Sequence, residues 1–167
     1  YLLYNLLCRL SFVEIVVGSG NLRIQDIDKL KSLINSNFGL INPKCVCGQL
    51  HLKQAAFLSN KAHNGNYNLS KDRSTEVLLY LTFQRQISKA IKIGGIDKNT
   101  KSVAWVSFGN PPSELLNMIE SDDSIISKDV FDYSILNLDN SIVSDMSFEE
   151  KQKIIMTKTA TLSVQPR

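Results

Sequence analysis

The side chains best suited to chemistry in this sequence are cationic, and they recur at helical spacing. Arg85, Lys89 and Lys92 stand at i, i+4 and i+7 within Ser74–Ile93, so one continuous helix would carry them as a single positive stripe. Such a stripe serves either as the solvated face of an amphipathic helix or as a line of contacts to nucleic-acid phosphates. Arg85 has a third option, pairing with a carboxylate to hold its helix in place. Lys53 and Lys61 add two cations on the helical segment before it. His51 and His63 are the only histidines, so histidine-based proton transfer has few candidates.

Cys45 and Cys47 precede those histidines in the order C-x-C-x3-H-x11-H. That spacing matches no common zinc pattern, and thiols packed as small hydrophobes are the simpler reading. Gly18-Ser19-Gly20 is too short for a dinucleotide fingerprint. No phosphate-cradling loop or nucleophile elbow occurs. The expectation is therefore no catalytic residue, no metal, no cofactor and no small-molecule substrate.

These residues need a scaffold, and 167 of them suffice for one domain with a real core. Hydrophobic residues make up 43% and charged residues 21%, the mix of a soluble globular protein. The net charge of +3 and pI near 8.7 permit nucleic-acid binding without demanding it. Three cysteines, Cys8, Cys45 and Cys47, are an odd count with no disulfide framework, which points to a reducing cytoplasm. Tyr1–Leu10 is apolar but carries Arg9 and lacks signal-peptide flanks. Residues 1–11 are expected to be an irregular extension of a single domain spanning 1–167. No apolar run reaches the ~20 residues that cross a bilayer, so no membrane association is expected.

Along the chain, Phe12–Val17 reads as a buried strand closed by a Gly18-Ser19-Gly20 turn. Asp26 can cap a helix carrying Ile27, Leu30 and Ile34, and Leu40-Ile41 can start a second strand. Leu50–Ala62 reads as a helix packing through Ala55, Ala56, Phe57, Leu58 and Ala62. A loop at His63–Ser70 leads to the long helix Ser74–Ile93, with Ser74 as N-cap and Gly94-Gly95 as stop. Val103–Phe108 alternates as a strand around Trp105. Ser113 can cap a helix through Ile119, Tyr133–Leu138 reads as a further strand, and Phe148–Val164 as a final helix. Alternating strands and helices give a mixed α/β (α+β) domain with a central sheet.

The long helical stretch also carries a recognisable signature. Glu76-Val77-Leu78-Leu79, Arg85-Gln86-Ile87-Ser88-Lys89-Ala90-Ile91 and Gly94 resemble the signature of the PRPK-binding protein (TPRKB-like) family. His51-x-x-x-Ala55, Asp132-x-Ser134-Ile135-Leu136 and Ala160-x-Leu162 are similar to weaker motifs of that family. The resemblance runs from about Phe12 to Val164. It departs in the Asn- and Lys-rich loop before Ser74, and in Met156–Thr161, where members usually carry a Glu-Arg pair.

That family supplies a small subunit of the KEOPS complex, which makes threonylcarbamoyladenosine in tRNA. The resemblance implies a non-catalytic adaptor that binds the complex's atypical kinase/ATPase subunit and helps recruit tRNA through its 3' acceptor end. It would be cytoplasmic, and also nuclear in a eukaryote. Arg85, Lys89, Lys92, Lys53, Lys61 and His51 become candidate RNA contacts. Tyr67, Tyr80 and Phe83 are possible platforms for unstacked bases, though packing suits each of them too. Phe148, Ile154, Ile155, Lys158 and Leu162 become candidate kinase contacts, because the family docks its kinase through the C-terminal helix. A free-standing RNA-binding domain and a small enzyme built around His51, Glu76 and Arg85 remain as alternatives.

Overall fold

The structure, a computed structural model, describes residues 13–138 and 140–164. The readings placed on Cys8, on residues 1–11 and on Phe12 lie outside those residues. A four-stranded antiparallel sheet in the order β2-β3-β1-β4 forms the centre. Its strands are β1 (Ile15–Leu22), β2 (Phe38–Ile41), β3 (Ser102–Phe108) and β4 (Ile119–Ser121). Around it lie α1 (Ile27–Lys31), α2 (Gly48–Asn64), α3 (Arg73–Thr82), α4 (Ile87–Gly94), α5 (Leu115–Met118), α6 (Ser124–Ser127), α7 (Asn140–Ser144) and α8 (Phe148–Thr161). This is the mixed α/β architecture expected from the sequence.

The period-two alternation of the strands decides which helices cover which face. Ala104, Val106 and Phe108 of β3, with Ile15 and Val17 of β1, pack against Leu52, Ala55, Ala56, Val77 and Leu81 of α2 and α3. Val103 and Trp105 of β3, with Phe38 and Leu40 of β2, join Ile27, Leu30 and Leu115 on the other face. A third cluster, Cys47, Phe131, Leu136 and Ile155, seats α8.

Several local readings hold. Asp26 caps α1 by accepting the Lys29 N–H at 3.0 Å. Gly95 ends α4. The final helix begins at Phe148 as expected, started by a reciprocal capping box between Ser147 and Glu150 that the sequence reading did not name.

Several other readings are corrected. Gly18-Ser19-Gly20 is not a turn, because β1 runs straight through it in register with β3. A Cβ on Gly18 would come within 2.5 Å of the Trp105 ring, so the glycine is there to admit the indole rather than to reverse the chain. Ser74 is not an N-cap. Asp72 holds that position, and the Ser74 hydroxyl donates to the Asn35 carbonyl at 2.6 Å. The helix after Ser113 is a single turn, because Ile119 leaves it for β4. Tyr133–Leu136 is a 3-10 turn rather than a strand, nucleated where Asp132 accepts the Ser134 N–H. Phe57 does not pack inward. It is 59% exposed, and the inner face of α2 is His51, Leu52, Ala55, Ala56, Ser59 and Ala62.

The long helix expected over Ser74–Ile93 is two helices. Phe83 takes a left-handed conformation (φ 57) at the end of α3, its N–H donating to the Leu79 carbonyl. That conformation costs a non-glycine residue about 1 kcal/mol or more. Packing offsets it here, since Phe83 is held in the cluster of Cys47, Phe131, Leu136 and Ile155.

Candidate functional site

Helix α8 is fixed to the start of α2 by a lock centred on a buried imidazole. His51 has no solvent exposure, and its ring lies between Phe83 and Phe131, with centroids 6.3 and 6.2 Å away. Its Nδ1 accepts the Cys47 backbone N–H at 3.0 Å. The neutral ring must then carry its proton on Nε2, which donates to Thr159 Oγ1 at 2.9 Å. Burial drives the His51 pKa from 6.5 down to about 3, so the ring is neutral at physiological pH. Gln152 donates to the Cys47 carbonyl at 2.9 Å and Gln54 to the Met156 carbonyl at 3.0 Å. Both backbone groups of Cys47 are thus used in seating α8.

Two lysines complete the attachment. Lys151 pairs with Asp129 at 3.0 Å and lies 5.1 Å from the Tyr133 ring centre. Lys158 donates to the Leu136 carbonyl at 3.1 Å and sits 5.3 Å from the centre of Phe83. The ring suggested as a base platform is therefore already engaged by Lys158.

The residues singled out for partner contact divide by burial. Ile155 is fully enclosed, and Leu162 packs in the main core at 6% exposure. Phe148 is half-buried, while Lys158 is exposed and Ile154 is 38% exposed. Leu138 and Ile154, both exposed, border one shallow hollow with Met146 and Lys151.

The cations also divide. The single stripe does not form, because the helix breaks at Phe83 and Arg85 falls in the connection before α4. Lys89 and Lys92 remain together on α4, both exposed. Half-buried Arg85 instead lines a cavity of about 90 Å³ with Tyr67, Leu69, Glu76 and Tyr80. There the Glu76 carboxylate accepts N–H groups from Leu69 (3.0 Å) and Ser70 (2.6 Å). Its pKa is raised by burial, an effect those two donors oppose. His51 stands outside this cavity's lining, so the grouping of His51, Glu76 and Arg85 in one pocket is not observed. Tyr80 is buried and Tyr67 half-buried.

One grouping was seen only in part by sequence reasoning, which named Lys53 and Lys61 but turned Phe57 inward. Leu50, Lys53, Phe57 and Lys61 are all exposed along α2, at i, i+3, i+7 and i+11. Their spacing gave the signal, but Phe57 invites burial and hides it.

Cys45 and Cys47 are buried free thiols, each pushed up to about 12, chiefly by burial. They stay protonated and are poor nucleophiles or metal ligands as placed. Among the described residues, no group of three or more His, Cys, Asp and Glu side chains is arranged to hold a metal ion, and no helix is long and apolar enough to cross a membrane.

The sequence profile of the kinase binding protein CGI-121 family matches residues 22–152, from the end of β1 into α8. The KEOPS complex subunit Cgi121 of Pyrococcus abyssi is 28% identical over 111 residues, which cover 66% of this chain and 63% of that protein. The aligned stretch thus spans just under two thirds of the archaeal relative.

Proposed function

The chain belongs to the CGI-121 family of kinase-binding proteins, and on that premise we propose that it is a non-catalytic adaptor of a KEOPS-type tRNA-modification complex. In this reading it docks the complex's atypical kinase/ATPase subunit and helps present tRNA through the single-stranded 3' acceptor end. The observation that carries the docking half is the state of α8. The helix is locked from beneath by His51, Gln54 and Gln152, yet leaves Ile154 exposed beside Leu138. A rigid helix with an uncovered aliphatic side chain suits a hot spot, since few apolar anchors carry most of an interface's affinity. Ile154 and Lys158 are the contacts this surface offers directly. Ile155 and Leu162 act from below, by holding the helix.

The RNA half is supported by the α2 stripe. Phe57 between Lys53 and Lys61 offers one aromatic face flanked by two cations, the pattern that holds unstacked bases and their phosphates. Lys89 and Lys92 on α4 supply a second positive surface. His51 cannot contact RNA while it is buried, and its part is to position α8.

Co-purification with the cognate kinase subunit tests the docking half. The parent chain is expected to co-elute in gel filtration, and an Ile154→Asp variant to stay folded and elute alone. Co-elution of a folded Ile154→Asp at unchanged affinity overturns the α8 assignment. Failure of the parent chain to co-elute, with tRNA binding intact, favours a free-standing RNA-binding module.

A further inference from the structure

Nothing in the local sequence ends α3 at Thr82. The connection to α4 is Phe83-Gln84-Arg85-Gln86. It holds neither glycine nor proline, and glutamine and arginine are good helix formers. The chain nevertheless turns at Phe83, which takes φ 57 and ψ 29. A left-handed aromatic residue persists only where its surroundings hold it there.

Those surroundings lie outside both helices. The Phe83 ring stacks on that of His51, with centroids 6.3 Å apart and planes 21° from parallel. The Lys158 ammonium sits 5.3 Å from the ring centre. The side chain packs against the cluster of Cys47, Phe131, Leu136 and Ile155. Ile155 and Lys158 belong to α8, so the seated helix supplies part of the grip. Helix α4, by contrast, is lightly held. Its buried residues are Ala90 and Gly94, while Ile87 and Ile91 are 38% and 49% exposed. The Asn42 N–H, donating to the Gly94 carbonyl at 2.8 Å, ties down its end.

We propose that Phe83 is a latch through which α8 keeps α3 and α4 apart. With α8 seated, the ring is captured and the helix breaks. With α8 lifted, Phe83 returns to the right-handed region and residues 73–94 run as one helix. The Gly94 bond, the burial of Ala90 and the engagement of Arg85 where it now lies all favour the broken form. The chain has the slack for the change. Residues 95–101 separate α4 from β3, and extended they reach about 23 Å, against a length of about 12 Å for α4. The continuous helix ranges Arg85, Lys89 and Lys92 in one row, a run of charge suited to a polyanion. Seating α8 disperses that row. The device is internal to the chain and independent of which partner docks on α8.

Backbone NMR of the intact chain reads the state of residues 83–86 directly. Phe83→Ala removes the ring, and should give helical Cα shifts there and unbroken sequential amide contacts from residue 79 to residue 90. Lys158→Ala removes only part of the α8 side of the latch, at an exposed position that leaves the fold intact. It should raise the population of a minor state with helical shifts at 83–86 about two- to five-fold over the parent, measured by relaxation dispersion. Three outcomes overturn the proposal. One is a folded Phe83→Ala chain whose residues 83–86 keep the shifts of a break. Another is a minor state no more populated in Lys158→Ala than in the parent, which decides the matter even where Phe83→Ala fails to fold. The third is a minor state whose shifts at 83–86 are those of a disordered segment, since that is local fraying rather than a second helix.

Discussion

The Nε2 of His51 and the Oγ1 of Thr159 lie 2.9 Å apart although 108 residues separate them in sequence. Thr159 is fully buried, so its hydroxyl and the imidazole N–H have no water to turn to. Thr159→Val keeps the shape and leaves the Nε2–H orphaned. The expected cost is about 1–3 kcal/mol of unfolding free energy, measured by urea denaturation at neutral pH. An unchanged midpoint would show that the bond contributes nothing net.

The same ring makes stability depend on pH. His51 titrates at about 3 in the folded chain and at its ordinary 6.5 when unfolded. Between those values the unfolded state binds more protons, so acid favours unfolding. The stability contributed by the neutral ring is complete above pH 6.5. It is lost as pH falls toward 3, at up to about 1.4 kcal/mol per pH unit. A His51→Phe variant should lower this slope by one proton's worth in chemical denaturation across that window. Parallel pH profiles for parent and variant would contradict the assignment.

Leu162 and Ile154 are expected to respond in opposite ways to a charge. Leu162→Arg buries a guanidinium in the main core and should destabilise by about 3 kcal/mol or more. Ile154→Arg should leave thermal melting nearly unchanged and weaken only the kinase complex. A folded Leu162→Arg chain with parental stability would place that residue outside the core.

On the α2 stripe, the double variant Lys53→Glu/Lys61→Glu should stay folded and lose tRNA affinity. Each lost phosphate contact should flatten the logarithmic salt dependence by about one unit. Phe57→Ala should cost about 1–3 kcal/mol of binding if a base stacks on it, with little change in salt slope. If only Lys89→Glu/Lys92→Glu weakens binding, the RNA surface is α4 instead.

The carboxylate of Glu76 organises the loop before α3 through the Leu69 and Ser70 N–H groups. Glu76→Ala should raise amide exchange at those two positions well before it affects the sheet. Exchange that stays slow at both would show that the loop is held by other contacts.

The fold was legible where local chemistry and tertiary packing agree. The alternation of Val103–Phe108, the Asp26 cap and the Gly94-Gly95 stop all carry their own signals, and each appears in the structure. The failures occur where a distant residue decides. Only the position of Trp105 shows why Gly18 belongs inside a strand, and no glycine or proline marks the break at Phe83. Of the site, the lysines of α2 and α4 could be found from spacing alone. The burial of His51 and Leu162 could not, because it depends on how α8 returns to α2.

That return has a consequence for how the molecule is made on the ribosome. Residue 159 is synthesised long after residue 51, so the sheet, α2 and α3 must wait with an open seat where α8 will lie. Closing so long a loop is entropically slow relative to local helix formation. Until it closes, the His51 imidazole is hydrated and titrates near 6.5, as in any unfolded chain. Its NMR signal at mildly acidic pH therefore serves as a built-in clock, recording the moment the last helix docks.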